Sequence, residues 1–282
     1  MITVELVKQL IVDQFPEYQH LPISQVLPGG NDNRTFRLGD NLSIRIPSNE
    51  SYVPQVEKEA KWLPYLTSKL SLPITTPIKL GKPSRFLAYP WSINTWLKGQ
   101  ATTSENIASQ EQFAKALAQF LTELATIVAP PELQAGTHNF YRGGSLMVYD
   151  KETQIALSEL AGNVDVIACQ KIWQQAIKSK WQKPSVWVHG DMAVGNILVE
   201  NGQLAAVIDF GCMGVGDPAC DLVMAWTFFN KSARQVFKAN LPYDEETWNR
   251  GRGWALWKAL ITYETPLSKK IIAELLSEEG EL

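Results

Sequence analysis

The sequence predicts an α+β fold in two parts: an antiparallel sheet with one main helix, then a mostly helical region that carries a β-hairpin. Three observations predict it. Residues 23–47 read as three short extended segments, ISQVLPGG, RTFRLGD and NLSIRIP, parted by Gly-rich or Asp-Asn turns, the pattern of an antiparallel meander. From residue 109 onward apolar side chains recur at three-to-four spacing, the period of helices that bury one face. Within that helical region NILVE and LAAVIDF flank Asn201-Gly202, a short-range hairpin signal.

Taken in order, residues 3–15 form an amphipathic helix with Leu6, Leu10 and Ile11 inward, and the three extended segments follow. VPQVEKEAKWLPYLTSKL is the first region's main helix; Val56, Trp62, Leu63 and Leu66 share a face, and Pro64 marks a kink or an end. RFLAYPWSINTWLKG returns to extended, aromatic-rich sequence. SQEQFAKALAQFLTELATIV opens with Ser109 and Gln112 in capping-box spacing, buries Phe113, Leu117, Leu121, Leu124 and Val128, and stops at APP. GTHNFYRGGSLMVYD reads as loop and residues 151–181 as helices. VWVH and NILVE are strands, and ETWNRGRGWALWKALITYE and SKKIIAELLSEEG are terminal helices, with Trp248, Trp254 and Trp257 assigned to the core and an apolar pocket lining as the alternative. The division falls at residues 1–97 and 98–282.

Composition bounds the function. With 282 residues, 45% hydrophobic and 20% charged, the chain can bury a core of one or two globular domains. A net charge of −3 gives no basic field for nucleic acid or an anionic membrane surface. Cys169, Cys212 and Cys220 are too few and too irregularly spaced for a disulfide framework or a zinc ribbon, and read as small buried residues of a protein in a reducing compartment. The N-terminal stretch lacks a basic region and a cleavage site, and its apolar run is too short to span a bilayer; the expected location is cytoplasmic.

The stretch WVHGDMAVGNILVENGQLAAVIDFG, residues 187–211, carries the chemistry. Asn196 stands seven residues after His189, and Asp209 thirteen after Asn196, with the hairpin between. Because a hairpin returns the chain to its start, Asp191, Asn196 and Asp209 are expected at one mouth. A lone Asp at a strand end is more often a turn or cap residue than a ligand; three at these spacings point to a site. Phosphoryl transfer from a nucleotide needs hard oxygens to hold Mg²⁺ and a carboxylate to orient and deprotonate an acceptor hydroxyl. Two metal-binding side chains and one remaining carboxylate meet that need.

HGDMAVGN and IDFG resemble the catalytic loop and metal-binding motif of kinases, and the glycine after His189 together with GDPACDL resembles the aminoglycoside phosphotransferase family more than protein kinases. The resemblance covers roughly residues 24–260. It implies a bilobal, protein-kinase-like fold, with ATP or GTP as phosphate donor and Mg²⁺ as cofactor. By the same resemblance Asp191 is the catalytic base, Asn196 and Asp209 hold the metal, and Asp221 is a buried brace. His189 is expected to orient the Asp191 backbone rather than act as acid or base. Asp217, before Pro218, reads as a turn-former or N-cap outside the site.

For the nucleotide, Gly29 and Gly30 stand about 160 residues ahead of that loop, at a turn where backbone N–H groups could meet phosphates; an ordinary hairpin is the competing account. The third strand presents Arg45 where the family pattern has lysine, a departure that leaves its equivalence open. Its helix partner is Glu59, with Glu57 as the alternative. Backbone groups of Asn94 to Trp96 are expected at the lobe-connecting hinge, facing the base.

Asp217 follows Asp209 by eight residues, which leaves no room for a peptide-docking segment, so the acceptor is a small molecule bearing a hydroxyl. The resemblance admits an aminoglycoside, for which YDEETW, Glu264 and SEEGEL offer acids, and equally a macrolide, an amino alcohol or another small metabolite. The competing functions are a nucleotide-binding pseudokinase acting as a regulatory module, which Arg45 favours, and a metal-dependent hydrolase, which the distant positions of His20 and His138 disfavour.

Overall fold

The period-two alternation of the early strands decides which side chains meet which helix. The computed structural model describes residues 2–27, 29–30 and 32–279 and divides into two compact units, Met1–Gly99 with Ala205–Gly211, and Gln100–Leu204 with Cys212–Leu282.

In the first unit α1 (Val4–Gln14) begins where the Thr3 hydroxyl accepts the Leu6 N–H at 3.3 Å. Its buried face is Val7, Leu10 and Ile11; Leu6, expected inward, is only partly buried. β1 (Ile23–Gln25), β2 (Asn33–Leu38) and β3 (Leu42–Pro47) precede α2 (Val53–Thr67), and β4 (Pro77–Gly81) and β5 (Trp91–Thr95) follow it. The strands form one sheet in the order β1-β2-β3-β5-β4 with antiparallel pairing throughout. Phe36, Leu38, Ile44, Ile46, Trp91 and Ile93 pack with the α1 face, each fully buried; a side chain of this kind contributes about 1.5–3 kcal/mol on burial. The alternate positions Ser43, Arg45, Ser92 and Asn94 are buried too, with Arg45 opposite Ser92 and Ser43 opposite Asn94. The centre of the sheet is therefore apolar on one face and polar on the other. Pro64 does not end α2, which runs on to Thr67, although as proline it lacks the N–H that would donate to the Ala60 carbonyl.

The second unit starts with β6 (Gln100–Ala101) and α3 (Gln110–Thr126). Ser109 caps α3, accepting from Gln112 N at 3.3 Å, while its hydroxyl lies 2.9 Å from Glu111 Oε2. Val128, expected in the core, is 81% exposed, because the backbone turns extended at Ile127 and breaks the helical spacing. The predicted helical stretch 151–181 is two helices, α4 (Asp150–Glu159) and α5 (Val166–Lys178), the second capped by Asp165. β7 (Val186–Val188), β8 (Ile197–Glu200), β9 (Gln203–Val207) and β10 (Gly214–Gly216) follow, β10 pairing with β7 and the others ordered β6-β8-β9. Along β9 the chain passes from the second unit into the first.

The remainder is α6 (Met224–Thr227), α7 (Lys231–Ala239), α8 (Glu245–Ile261) and α9 (Pro266–Glu279). α8 is buried around most of its circumference, which identifies it as a core helix rather than a surface one. Trp248, Trp254 and Trp257 are buried on it, and Gly253 lets α5 approach, since a Cβ there would stand 2.4 Å from that of Ala176. Cys169 and Cys220 are buried as expected, whereas Cys212 is only half-buried. No described helix is long and apolar enough to cross a membrane.

Gly81 sits opposite Trp91, where a Cβ would fall 2.1 Å from the buried indole. Gly81→Ala is expected to cost about 1–3 kcal/mol through overpacking, read as a lower urea midpoint; an unchanged midpoint contradicts this packing.

Candidate active site

In the second unit the chain leaves β7 into a loop shaped by a buried carboxylate. Asp221 Oδ2 accepts the His189 N–H at 2.7 Å and Oδ1 accepts the Gly190 N–H at 2.8 Å. Burial pushes the Asp221 carboxyl above its ordinary range, while His189 and the two amides pull it down. Gly190 has φ of 82°, and a Cβ there would stand 2.3 Å from the Cys212 carbonyl oxygen, so the turn requires glycine. His189 is fully buried, and its Nδ1 accepts the Asp191 N–H at 3.2 Å. Asp191 itself is exposed. Asn196 closes the loop: its Nδ2 donates to the Asp191 carbonyl at 2.9 Å and to Asp191 Oδ2 at 3.0 Å. With its nitrogen committed to Asp191, the Asn196 amide is left with Oδ1 as a donor atom toward a cation. Asp217 caps the following turn and pairs with Arg250 at 2.6 Å.

Asp209 belongs to the first unit, where its neighbours are Arg45 and the buried face of α2. Arg45 Nη1 donates to both oxygens of Glu59, at 3.0 and 3.1 Å, and Nη2 donates to Asp209 Oδ1 at 2.6 Å. Glu57, the alternative partner, is exposed. The Arg45 pKa is raised: burial works to lower it, but the charges of Glu59 and Asp209 prevail. Burial pushes the Glu59 carboxyl up, against the pull of Arg45. Asp209 has φ of 63°, a left-handed conformation uncommon outside glycine, and its side chain is 39% exposed. The sequence reading missed Lys58, whose Nζ donates to the Gly211 carbonyl at 2.8 Å. The signal was present in α2, where Gln55, Lys58 and Glu59 recur at helical spacing on one face.

The remaining candidates are also in the first unit. Gly29 and Gly30 lie between β1 and β2, and a Cβ at either would meet only ordinary contacts; nothing there demands glycine for fit. Asn94 is mid-strand, fully buried, its Nδ2 on Ser92 Oγ at 2.9 Å. Of the backbone groups from Asn94 to Trp96, the Trp96 N–H donates to the Asn41 carbonyl at 2.8 Å, and Arg37 stacks on the Trp96 ring.

Asp191 also lines a cavity of about 340 Å³ contained in the second unit, with Arg142, Trp254, Trp257 and Lys258 among its walls. Among the described residues no group of three or more His, Cys, Asp or Glu gathers to hold a metal ion. An ion bound by the amide and carboxylate oxygens of this site would complete its shell from phosphate and water, as Mg²⁺ does.

Asp221→Asn exchanges one acceptor oxygen for a donor facing a backbone N–H. It is expected to cost about 1–3 kcal/mol and to speed hydrogen exchange at His189 and Gly190; unchanged exchange there contradicts the bracing role.

The sequence matches the phosphotransferase enzyme family over residues 24–254. No curated protein matches it in sequence. Among solved structures, the fold resembles the GDP and kanamycin complex of APH(2")-IIIa, at 16% identity and a TM-score of 0.71 over 98% of both chains. It also resembles ADP-bound aminoglycoside phosphotransferase APH(2'')-Ib, at 18% identity and 0.62 over 98% of this chain and 97% of that one. A third likeness is apo macrolide 2'-phosphotransferase MphH from Brachybacterium faecium, at 18% identity and 0.61 over 96% and 98%. The fold is thus the kinase-like one expected, and the chain belongs to the phosphotransferase enzyme family.

Proposed function

We propose that this phosphotransferase moves the γ-phosphoryl group of ATP or GTP to a hydroxyl of a small organic molecule, with Asp191 as base. The observation that carries this reading is Asp191 itself: a carboxylate exposed at a cavity of about 340 Å³, on a loop fastened by Asn196, His189 and buried Asp221. Fixing the loop before substrate arrives removes the cost of ordering it during reaction. As the hydroxyl oxygen bonds to the γ-phosphorus, the bond to the β–γ bridging oxygen breaks and Asp191 takes the hydroxyl proton. A phosphate ester and a nucleoside diphosphate result.

Mg²⁺ is the proposed cofactor: Asn196 Oδ1 in the second unit and the Asp209 carboxylate in the first each offer an oxygen of the kind it takes, and when bound it neutralises charge on the phosphate oxygens. Arg45 keeps Asp209 in place and, being always charged, adds positive potential for a nucleotide. A small acceptor, rather than a peptide, fits the segment after Gly211: Gly214–Gly216 pairs with β7 and Asp217 caps the next turn, so no length remains for a docking platform. That likeness extends to relatives seen with GDP and ADP, which supports a nucleotide donor.

Asp191→Asn is expected to bind nucleotide normally and transfer phosphate at least about a hundredfold more slowly. Asp209→Ala is expected to lose Mg²⁺-dependent turnover while its unfolding transition stays cooperative. Full turnover in either variant, measured as nucleotide consumption with hydroxyl compounds, contradicts its role; nucleotide binding without turnover in the unaltered chain indicates a pseudokinase.

A further inference from the structure

The cavity beside Asp191 has the wrong charge for a polycation. Among the described residues Asp191 is the only acid lining it, against Arg142 and Lys258. Of the acids on the C-terminal helices, Glu274 and Glu278 pair with Arg234 and Glu245 with Lys238, and neither Glu246 nor Glu264 lines the cavity; Glu281 lies outside the described residues.

Arg142 is the unusual member. Its Nη1 is buried with no hydrogen-bond partner, and no carboxylate among the described residues pairs with it. The guanidinium stands over the rings of Trp257 at 4.8 Å and Trp254 at 5.0 Å, whose faces attract a cation but offer its N–H groups no lone pair in the plane of the fork. The Trp254 indole N–H, on a residue 3% exposed, is likewise without a partner. One turn along α8, Trp257 has the ordinary arrangement, its N–H donating to Glu152 at 2.6 Å. Buried donors are almost always satisfied in folded proteins. Two orphaned donors on two residues that line one cavity call for an oxygen-rich ligand.

The position is built rather than incidental. Fully buried Asn139 accepts the Gly136 N–H at 3.0 Å and donates to the Arg142 carbonyl at 2.8 Å. The next residue, Gly143, accepts the Asp217 N–H at 2.8 Å. A Cβ on Gly190 would touch that of Arg142 at 3.0 Å, so Arg142 is rooted against the residue before Asp191.

We propose that Arg142 and the Trp254 N–H form an oxyanion receptor in the acceptor pocket, so that the molecule phosphorylated is a hydroxy acid with an apolar body rather than a polycation. This rests on the phosphotransfer reading above. The planar guanidinium matches a carboxylate through parallel N–H donors, Lys258 adds charge to the same cavity, and residues such as Val223, Leu267 and Ile271 receive the apolar part.

The test is equilibrium binding to the full chain, without nucleotide, of a panel of aromatic and aliphatic carboxylates, each paired with its own primary amide and followed by calorimetry. At least one acid is expected to bind about tenfold or more tightly than its amide. Arg142→Gln is expected to erase that preference with the melting temperature little changed. Trp254→Phe, which keeps the ring and removes the N–H, is expected to reduce it, and serves if the arginine variant fails to fold. The proposal is overturned if no acid exceeds its amide, or if the preference survives Arg142→Gln. It is equally overturned if Arg142→Gln lowers only nucleotide affinity, which would assign the guanidinium to donor phosphates. A hydroxy acid held through Arg142 by a chain that consumes no nucleotide with it or with any other hydroxyl compound would leave the receptor standing and sink the phosphotransfer reading instead.

Discussion

The first unit depends on one guanidinium lodged between two carboxylates. Arg45 gives one nitrogen to Glu59 and the other to Asp209, and so ties β3, α2 and the segment after β9 into one block. Arg45 and Glu59 are nearly dry, at 10% and 5% side-chain exposure, and removing one partner of such a pair typically costs about 3–5 kcal/mol because the other is left buried and charged. Arginine suits this place for a geometric reason: its fork serves two carboxylates in different directions, whereas an ammonium is a point charge. Lys58, a neighbour of Glu59 on α2, adds the second clamp on Gly211. Together they hold Asp209 in a backbone conformation that costs of order 1–3 kcal/mol where nothing enforces it.

The second unit uses the same device with the signs reversed. There a buried carboxylate, Asp221, gathers backbone N–H groups, and the loop it fixes presents Asp191 and Asn196 already joined. In both units a carboxylate is held in place by side-chain donors, an arrangement that fixes its charge in advance. The cavity inside the second unit extends this economy of charge, with one acid facing two cations across apolar walls.

Much of this was legible in the sequence because it is local. The apolar alternation of RTFRL and LSIRI announces strands, and the same alternation puts Arg45 on the face opposite Ile44 and Ile46. Helical spacing on α2 discriminates Glu59 from Glu57 once the buried face is known. The loop from His189 to Asn196 is contiguous, and its two key side chains meet within five residues. What stayed hidden depends on distant partners. Val128 leaves the core through the backbone turn at Ile127, and the Trp96 N–H is claimed by Asn41 from another turn. Lys58 takes its role from an acceptor 153 residues on, the Gly211 carbonyl. Arg142 sits in GTHNFYRGG, a stretch without periodicity, and its meaning comes from tryptophans on α8 more than a hundred residues away.

The most direct measurement of the Arg45 account is a double-mutant cycle between Arg45 and Asp209, read as unfolding free energy in urea without nucleotide. A shared contact predicts that the two alanine substitutions fail to add, with a coupling energy of about 0.5–3 kcal/mol. Additivity within about 0.3–0.5 kcal/mol would mean that Arg45 does not hold Asp209.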